Sequence, residues 1–540
     1  MATLENPSAG PGPGQSAAAA ATVRMRGITK NYGETVANSG VDFDLHRGEI
    51  HALLGENGAG KTTLMNILFG LVLPESGEIW VGDDQVALSG PQDAFGRGIG
   101  MVHQHFMLVQ RFTVAENVVL GSVRPWNVKL RRHRIERDVR SAAERFGIAL
   151  DPRAKIRDLP VDTQQRVEIL KLLYRGARIL ILDEPTSSLG PAQIAGLFAT
   201  LRELRDAGHS IVIVTHKLGE VMQIADRVTV LRAGKNVLSV AKGGFDERTL
   251  ARAMTGRELE GLPPKTRIGD TAPLLRLRDL VVHAGTRLHA VHGVSFDVQA
   301  GEILGIAGVE GNGQRELVDA LAGVLKIESG EVIVEGKDLT AASPRDRHRA
   351  GVSVIPEDRH GWGLVLDMTV AENLALADVP AGRFSHRGLL RPRSIREHAK
   401  QLLAEYDVRP PDPDLRVLSL SGGNQQKLVL ARELSRGPRL LIAANPTQGL
   451  DVGAAAYVQR RLIAVREAGN AVLLVSHDLD ELFKLADRII VLYRGKVLYE
   501  SSIGSVSMDE LALAMAGRAP GEGVRADPEL VEIAEMEAER

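Results

Sequence analysis

The chain has 540 residues, of which 44% are hydrophobic and 25% charged, and its formal net charge is −2. One core supports about 250–300 residues, so we expect more than one domain. The near-neutral charge gives no bulk argument for binding nucleic acid or an anionic membrane. The absence of cysteine excludes disulfides, cysteine-ligated zinc and thiol catalysis. No apolar run reaches the roughly 18 residues of a membrane span.

The two ends of the chain differ in composition from the rest. Residues 1–22 are rich in Ala, Gly, Pro and Ser, which predicts a disordered tail without the features of a signal peptide. Residues 519–540 form an acidic tail, in which we expect a short helix from Pro528 to Glu539.

Between the tails the sequence repeats itself. Val41–Leu68 aligns without gaps with Val294–Leu321, 253 residues later, and Gly98–Gln104 matches Gly351–Glu357 at the same spacing. A repeat of this length indicates two copies of a whole domain rather than a solenoid. We assign the first domain to residues 23–258, a linker to 259–273 and the second domain to 274–518.

The first copy contains apolar runs that end in polar loops. Glu49–Leu54, Ile179–Leu182 and Ser210–Thr215 read as buried parallel strands, with helical segments between them. Strands that alternate with helices predict an α/β layered fold.

The first of these strands runs into GENGAGKT, which fits the phosphate-loop pattern G-x-x-x-x-G-K-[ST]. Glycines allow a tight turn whose N–H groups face phosphates at a helix N-terminus. Lys61 is expected to reach the β- and γ-phosphates, and Thr62 to offer its hydroxyl to Mg²⁺. The alternative is a glycine turn that only precedes a helix. The nucleotide-binding residues predicted here are Gly55, Glu56, Asn57, Gly58, Ala59, Gly60, Lys61, Thr62 and Thr63.

The next two strands end in ionisable side chains. Asp183 and Glu184 follow the second strand, where Asp183 would help to hold Mg²⁺ and Glu184 would polarise the attacking water as general base. A helix cap is the alternative role for such a pair. His216 ends the third strand, where it could touch the γ-phosphate or be an ordinary polar residue.

The second copy departs from this pattern. Its loop, GVEGNGQR, keeps the glycines but has Gln314 in place of the lysine and Arg315 in place of the hydroxyl. Ala444 and Asn445 replace the two carboxylates. Metal ligands and base are both missing, so we predict that this site does not hydrolyse nucleotide and at most binds it.

The motif Leu420-Ser-Gly-Gly-Asn424, followed by two glutamines, completes the set. With it, the chain resembles the ATP-binding-cassette ATPases over residues 23–518. The resemblance implies two tandem P-loop ATPase domains, each with a RecA-like α/β core, an antiparallel β portion and a helical subdomain. It also implies ATP and Mg²⁺ as cofactors.

The resemblance assigns further roles. Tyr32 would stack on adenine, although packing alone is an alternative for this residue. Gln104 would link Mg²⁺ and water to the transporter, and His216 would be the switch histidine. In this family each composite site combines the loop of one cassette with the signature of the other. The first loop would then receive Ser421, Gly422, Gly423 and Asp451.

By the same resemblance, the losses fall on one composite site. The first copy's own signature carries Asp162 in place of a glycine. Glu357 stands where the first copy has Gln104. The residues assigned to the degenerate site are Gln314, Arg315, Glu357, Ala444, Asn445 and Asp162.

Three stretches resemble the branch of importers that takes up nucleosides: Val354–His360, Gly308–Gln314 and Val167–Ala177. Simple sugars are the alternative substrate, and a tandem cassette protein acting on ribosomes is an alternative of another class. The importer reading implies two membrane permease subunits, an external substrate-binding lipoprotein, no nucleic acid and no need for homodimerisation. It places the chain at the cytoplasmic face of the membrane, as a peripheral subunit.

Overall fold

The computed structural model describes residues 21–33, 35–104, 106–121, 132–187, 189–258, 261–266, 272–284, 287–309, 311–379, 382–386, 389–515 and 517–518. Both predicted tails, except residues 21 and 22, lie outside these ranges, as does part of the predicted linker. Among the described residues, no helix has the length and apolar character that crossing a membrane requires. The chain divides into unit 1, Met1–Leu189 with Gln193–Glu258, and unit 2, Leu259–Arg540 with Gly190–Ala192.

Unit 1 contains ten strands and eight α-helices within the described residues. The strands are β1 Ala21–Tyr32, β2 Thr35–His46, β3 Ile50–Leu54, β4 Ser76–Val81, β5 Asp84–Val86, β6 Ile99–Val102, β7 Ile179–Asp183, β8 Ser210–Thr215, β9 Arg227–Arg232 and β10 Lys235–Ala241. The helices are α1 Lys61–Leu68, α2 Pro91–Gly96, α3 Val114–Val119, α4 Arg132–Arg145, α5 Val161–Tyr174, α6 Pro191–Asp206, α7 Leu218–Ile224 and α8 Glu247–Thr255.

Unit 2 repeats this order. Its strands are β11 Pro273–Ala284, β12 Arg287–Gln299, β13 Ile303–Ala307, β14 Ile327–Val334, β15 Lys337–Asp338, β16 Val352–Ile355, β17 Ser385–His386, β18 Leu389–Leu390, β19 Leu440–Ala444, β20 Ala471–Val475, β21 Arg488–Tyr493 and β22 Lys496–Ser502. Its α-helices are α9 Gln314–Ala322, α10 Pro344–Arg349, α11 Val370–Ala375, α12 Pro392–Glu405, α13 Gly422–Leu434, α14 Val452–Glu467, α15 Leu479–Leu485 and α16 Met508–Met515.

Each unit has two main sheets. In unit 1 a four-stranded antiparallel sheet has the order β2-β1-β4-β5, and a six-stranded sheet has the order β10-β9-β3-β8-β7-β6. In unit 2 the corresponding orders are β12-β11-β14-β15 and β16-β19-β20-β13-β21-β22. The central strands of the larger sheets are parallel. Every residue of β3, β7 and β8 is buried, as expected for strands covered on both faces. The predicted α/β fold with two repeated units is confirmed.

The helical portion of each unit packs on the sheet through apolar side chains. In unit 1 a single core joins Val118 of α3, Val139 of α4 and Leu170 of α5 to the β7 residue Leu180. In unit 2 the same arrangement involves α11, α12 and α13. Each unit therefore has the three parts that the resemblance implied, namely an α/β core, an antiparallel sheet and a helical portion.

Two predicted strand boundaries differ from the structure by one residue. β3 begins at Ile50 rather than Glu49, because the Glu49 carboxylate instead accepts the His46 N–H at 2.7 Å and closes the preceding turn. β7 continues to Asp183, which pairs with Val214 of the next strand. The described part of the predicted linker packs on unit 2, where Lys265 Nζ donates to the Ala486 carbonyl at 2.6 Å.

The parallel arrangement determines where the polar side chains lie. β3 and β8 pair in register at Leu54 and Thr215, and β7 pairs with β8 at Asp183 and Val214. The carboxyl ends of parallel strands meet at one edge of the sheet, which is where α/β proteins bind ligands. The loop after β3, the carboxylates at the end of β7 and the histidine after β8 consequently share that edge.

Candidate active site

Lys61 is the first residue of α1, directly after the glycine loop. Its side chain is buried and turns back over the loop, where Nζ donates to the carbonyl oxygens of Gly55 at 2.8 Å and Glu56 at 3.0 Å. A buried ammonium beside the N-terminus of a helix creates a positive region that favours an anion. The loop is therefore suited to phosphate, as the sequence predicted.

The last glycine of the loop is required by packing. Gly60 has φ +96°, and a Cβ atom at this position would overlap the carbonyl oxygen of Ala37. Gly313 in unit 2 has φ +103°, and a Cβ there would overlap the carbonyl oxygen of Ala290. Because both copies need this glycine for the fold, its retention in the second loop is not evidence that the second loop binds phosphate.

Thr62 and Asp183 meet at the same edge. The Thr62 hydroxyl is hydrogen-bonded to the Asp183 carboxylate. Burial raises the pKa of Asp183, and the neighbouring Glu184 raises it further, while Thr62 and Lys61 act in the opposite direction. A hydroxyl and a carboxylate side by side are the ligand types that Mg²⁺ takes from proteins of this kind. These two residues therefore fit a Mg²⁺ site.

Glu184 is held on three sides. Its backbone has the left-handed φ of 47°, fixed by an N–H bond to the Val214 carbonyl at 2.9 Å. His216 Nδ1 lies 3.0 Å from Oε1, and Gln104 Nε2 donates to Oε2 at 3.2 Å. The hydrogen bond from His216 lowers the pKa of Glu184, against the effect of burial. The two side-chain contacts hold the carboxylate of Glu184 in one orientation.

The remaining predicted residues of unit 1, Tyr32 and Asp162, lie on other elements. Tyr32 ends β1, is half exposed, and has Lys30 Nζ 5.7 Å from its ring centroid. Asp162 lies in the first turn of α5, which follows Pro160.

The signature residues of unit 2 begin a helix, as predicted. Ser421 precedes α13, and Gly422 and Gly423 form its first turn. A Cβ at Gly423 would approach Ala454 Cβ at 3.2 Å, so a glycine allows α13 to lie close to the start of α14. Asp451 caps α14 by accepting the Ala454 N–H at 2.7 Å. The structure thus brings the signature and Asp451 together within unit 2.

In unit 2, Gln314 occupies the position of the lysine. It is buried, and its Nε2 donates to the Val309 carbonyl at 3.2 Å. Val309 corresponds to Glu56, so the glutamine follows the same path as Lys61 without its charge. Arg315 is two-thirds exposed, with Nε 3.9 Å from an Asp319 carboxylate oxygen. Arg315 therefore does not replace the buried ammonium.

The acid and the amide have exchanged places between the two units. In unit 1 Gln104 donates to Glu184; in unit 2 Asn445 Nδ2 donates to Glu357 Oε1 at 2.8 Å. Asn445 also has a left-handed φ of 42°, and its Oδ1 accepts the His477 N–H at 3.0 Å. The sequence recorded the two substitutions separately. One substitution replaces an acid by an amide, and the other replaces an amide by an acid. These opposite changes could have predicted that the two side chains contact each other.

The carboxylate of Glu357 is held by Asn445 and His477. Its contact with His477 is the first cause of its lowered pKa, acting against burial, followed by Asn445 and Arg315. His477 Nδ1 is also 3.2 Å from the Gly308 carbonyl. The carboxylate of this pair thus follows β16, and the residue directly after β19 is the amide Asn445.

The phosphate loop, the strand-end carboxylates and the repeat can be compared with known proteins. The family model described as ABC transporter matches residues 38–187 and again residues 291–448. The chain belongs to the ABC transporter family. Its two units are ABC ATPase domains, a class that binds and hydrolyses ATP.

Full-length relatives support the same family. The chain is 46% identical over 495 residues to the nucleoside import ATP-binding protein NupA of Lactococcus lactis subsp. cremoris. The alignment covers 92% of this chain and 98% of that protein. The chain is 44% identical over 505 residues to the guanosine import ATP-binding protein NupO of Bacillus subtilis, covering 94% and 99%. Proteins named for glucose import in Haloferax volcanii and ribose import in Streptomyces avermitilis are 43% and 39% identical over 92% of this chain.

A solved structure also covers both ABC units. The archaeal ribosome recycling factor aABCE1, solved in complex with the ribosomal stalk protein aP1, matches 95% of this chain and 98% of its own chain. The TM-score is 0.61 and the sequence identity is 21%. At this identity the match supports the tandem ABC fold.

Proposed function

We propose that this ABC ATPase is the energy-supplying subunit of a bacterial nucleoside importer, and that it hydrolyses ATP at the site of unit 1. The observation that carries the assignment of hydrolysis to unit 1 is the geometry of Glu184, which is oriented by Gln104 and His216 and has Asn445 as its counterpart in unit 2. A general base needs a carboxylate that is ionised at neutral pH. Glu184, with its lowered pKa, meets that condition.

The other residues of unit 1 bind and orient the substrate in this proposal. Lys61 and the loop N–H groups hold the phosphates, and Thr62 and Asp183 would hold Mg²⁺. When bound, Mg²⁺ neutralises charge that develops on the phosphate oxygens. Glu184 accepts a proton from the attacking water, and His216 keeps the carboxylate aimed at it. Gln104 donates a hydrogen bond to the other oxygen of the same carboxylate.

The site of unit 2 does not hydrolyse ATP in this proposal. An ammonium about 4 Å from a phosphate is worth roughly 4 kcal/mol at an effective dielectric constant near 20, and Gln314 does not supply it. The carboxylate of Glu357 adds repulsion toward phosphate. Asn445, with its amide engaged by Glu357 and His477, cannot accept a proton. Nucleotide binding without turnover is the most that this site supports.

The proposal assigns Ser421, Gly422, Gly423 and Asp451 to the ATP site of the first loop, following the family resemblance. Asp162 in the first copy's signature would then fall on the site that has lost its catalytic groups. We propose two permease subunits and an external substrate-binding lipoprotein as partners. The chain would act as a peripheral subunit at the cytoplasmic face of the membrane.

Nucleosides are the proposed substrate, with simple sugars as the second candidate. Two relatives at 44–46% identity are named for nucleoside or guanosine import, whereas the glucose and ribose importers have lower identity. The margin over the glucose importer is small, so transport itself must be measured.

The test uses cells whose chromosomal copy of the gene is deleted and which carry the gene on a plasmid. Their uptake of labelled guanosine, adenosine, glucose and ribose is measured. We expect the intact gene to restore nucleoside uptake and the Lys61→Ala variant to fail. The Gln314→Ala variant is the matched control and should transport normally. Restoration of sugar uptake alone would replace the nucleoside assignment with the sugar one, and restoration of neither would contradict the importer role.

A further inference from the structure

One turn of unit 2 has no counterpart among the described residues of unit 1. Gln104 and Glu357 are 253 residues apart. Shortly after them, Val109 and Val365 each donate a backbone N–H to an equivalent asparagine side chain, at 2.8 and 2.9 Å, and they are 256 residues apart. Unit 2 therefore contains three extra residues between these positions. The chain forms a π-helical turn there, Arg359–Gly363.

The turn is held in a defined conformation. The Asp358 side chain accepts the N–H groups of His360 at 3.1 Å and Gly361 at 2.9 Å, and its carbonyl accepts the Trp362 N–H at 2.9 Å. A Cβ at Gly361 would overlap the Asp358 carboxylate. Turns of this type are frequent at functional sites.

Arg359 projects from the turn toward the signature. Its Nη1 donates to the Gln448 carbonyl at 3.4 Å. Its Nη2 lies 3.6 Å from the position that a Cβ atom would occupy at Gly422. It lies 3.5 Å from the position that a Cβ atom would occupy at Gly449. The guanidinium thus lies against both the start of α13 and the loop that leads to Asp451. A planar group with several donors can contact two segments at once.

His360 reaches the same helix. Its Nε2 is 2.8 Å from Gln425 Oε1, and Gln425 Nε2 donates to the Val417 carbonyl at 3.2 Å. The equivalent glutamine of unit 1 is Gln164, whose Oε1 receives Gln110 Nε2 only at 3.5 Å. The extra turn therefore gives the signature helix of unit 2 a histidine partner, whereas Gln110, the partner of Gln164 in unit 1, corresponds to Leu366.

The charge of Arg359 has an energetic consequence. The N-terminus of a helix carries partial positive charge, so a guanidinium beside the first turn of α13 is unfavourable by itself. An anion received by the same segment would offset that repulsion. The arrangement is consistent with a segment that meets phosphate during the reaction.

We propose that Arg359 and His360 are positioning residues for ATP hydrolysis, which hold the signature Ser421–Gly423 and the loop before Asp451 in the arrangement that the reaction needs. This inference rests on the proposed function, in which the signature completes the ATP site of the first loop. It goes beyond that function by assigning a role to a three-residue insertion that carries no nucleotide-binding motif.

The test compares Arg359→Ala, Arg359→Lys and His360→Ala with the control Arg393→Ala, an exposed arginine of α12. Steady-state ATP hydrolysis by the full chain and hydrogen–deuterium exchange of residues 420–426 are measured for each. We expect Arg359→Ala to lower kcat about tenfold while KM for ATP changes less than about twofold, because binding by the first loop is untouched. Exchange at residues 420–426 should become faster. Arg359→Lys should restore only part of kcat.

The control should match the original chain in both measurements. His360→Ala removes one hydrogen bond from an exposed turn and is a smaller change than Arg359→Ala. It therefore tests the same role if Arg359→Ala does not fold. If kcat in the folded variants stays within twofold of the control, the inference is overturned, whatever the exchange rates show.

Glu184→Gln is assayed in the same series. If Glu184→Gln hydrolyses ATP at the original rate, the proposed function fails. If it is inactive while Arg359→Ala and His360→Ala remain fully active, only the positioning role fails.

Discussion

Glu220 and Glu481 occupy equivalent positions in the two units but have different charged neighbours. In unit 1 Lys217 Nζ lies 3.1 Å from a Glu220 carboxylate oxygen. In unit 2 the residue three positions before Glu481 is Asp478. Burial raises the pKa of Glu481 to about 7, and the negative charge of Asp478 adds to the effect, while hydroxyl hydrogen bonds act in the opposite direction.

This difference predicts a pH dependence of stability. Between the ordinary pKa of 4.5 and about 7, folded Glu481 binds a proton that the unfolded chain releases, so stability falls as the pH rises through this window. Since one pKa unit is worth about 1.4 kcal/mol, ionised Glu481 costs the folded state roughly 3 kcal/mol above pH 7. Glu481→Gln should therefore unfold at higher urea than the original chain at pH 8.

The same variant provides its own control at pH 5, where Glu481 is neutral in the folded state. There we expect the difference between the two urea midpoints to be much smaller than at pH 8. A midpoint difference that is independent of pH between 5 and 8 would show that Glu481 does not titrate in this range.

Single residues of the site were predictable where a motif fixes both the residue type and the position. Lys61, Thr62 and Glu184 are predicted in this way, and the structure places all three at one edge of the sheet. The exchange between Glu357 and Asn445 was not predicted, since it joins residues 88 positions apart through a hydrogen bond. The left-handed backbone of Glu184 was also invisible in the sequence, because it results from the bond to Val214.

At the scale of elements, the repeated sequence TVAEN forms the same helix start in both units. Thr113 and Thr369 each accept the N–H of the glutamate three residues later, and each glutamate side chain accepts the threonine N–H in return. These are capping boxes, which satisfy two backbone donors that the helix cannot. The short helices α3 and α11 depend on them because few internal bonds are available to six residues.

Removing this cap should destabilise the unit that carries it. We expect Thr113→Ala to lower the free energy of unfolding by about 1 kcal/mol, since the alanine leaves the Glu116 N–H without its acceptor. Thr113→Ser retains the hydroxyl and should lose little. Urea unfolding followed by circular dichroism measures both. Equal midpoints for the alanine and serine variants would contradict a stabilising role for the cap.

Elements with strong local signals were predicted closely, and one without such a signal was not. Ser210–Thr215 and the helix that begins after Ser421 agree with the structure. No local sequence signature predicts the π-helical turn Arg359–Gly363. Its conformation depends on the Asp358 cap and on contacts with residues more than 60 positions away, which no local pattern encodes.

At the scale of the whole molecule, the two units keep the same fold while their sites differ chemically. Gly60 and Gly313 are both fixed by packing, so the loop survives in unit 2 even though Lys61 has become Gln314. The capping boxes and sheet orders are likewise shared. Residues required for folding are retained in both copies, and the proposed catalytic groups are retained in one.

The central claim is that Glu184 supplies the base for ATP hydrolysis and that unit 2 does not. The most direct test is the steady-state rate of phosphate release from ATP by the full chain carrying Glu184→Gln, with Asn445→Gln as the matched control. We predict a loss of about 100-fold or more for Glu184→Gln, the effect of removing a general base, and a rate within twofold of the original for Asn445→Gln. A Glu184→Gln rate above half of the original, or a comparable loss in Asn445→Gln, would contradict the account.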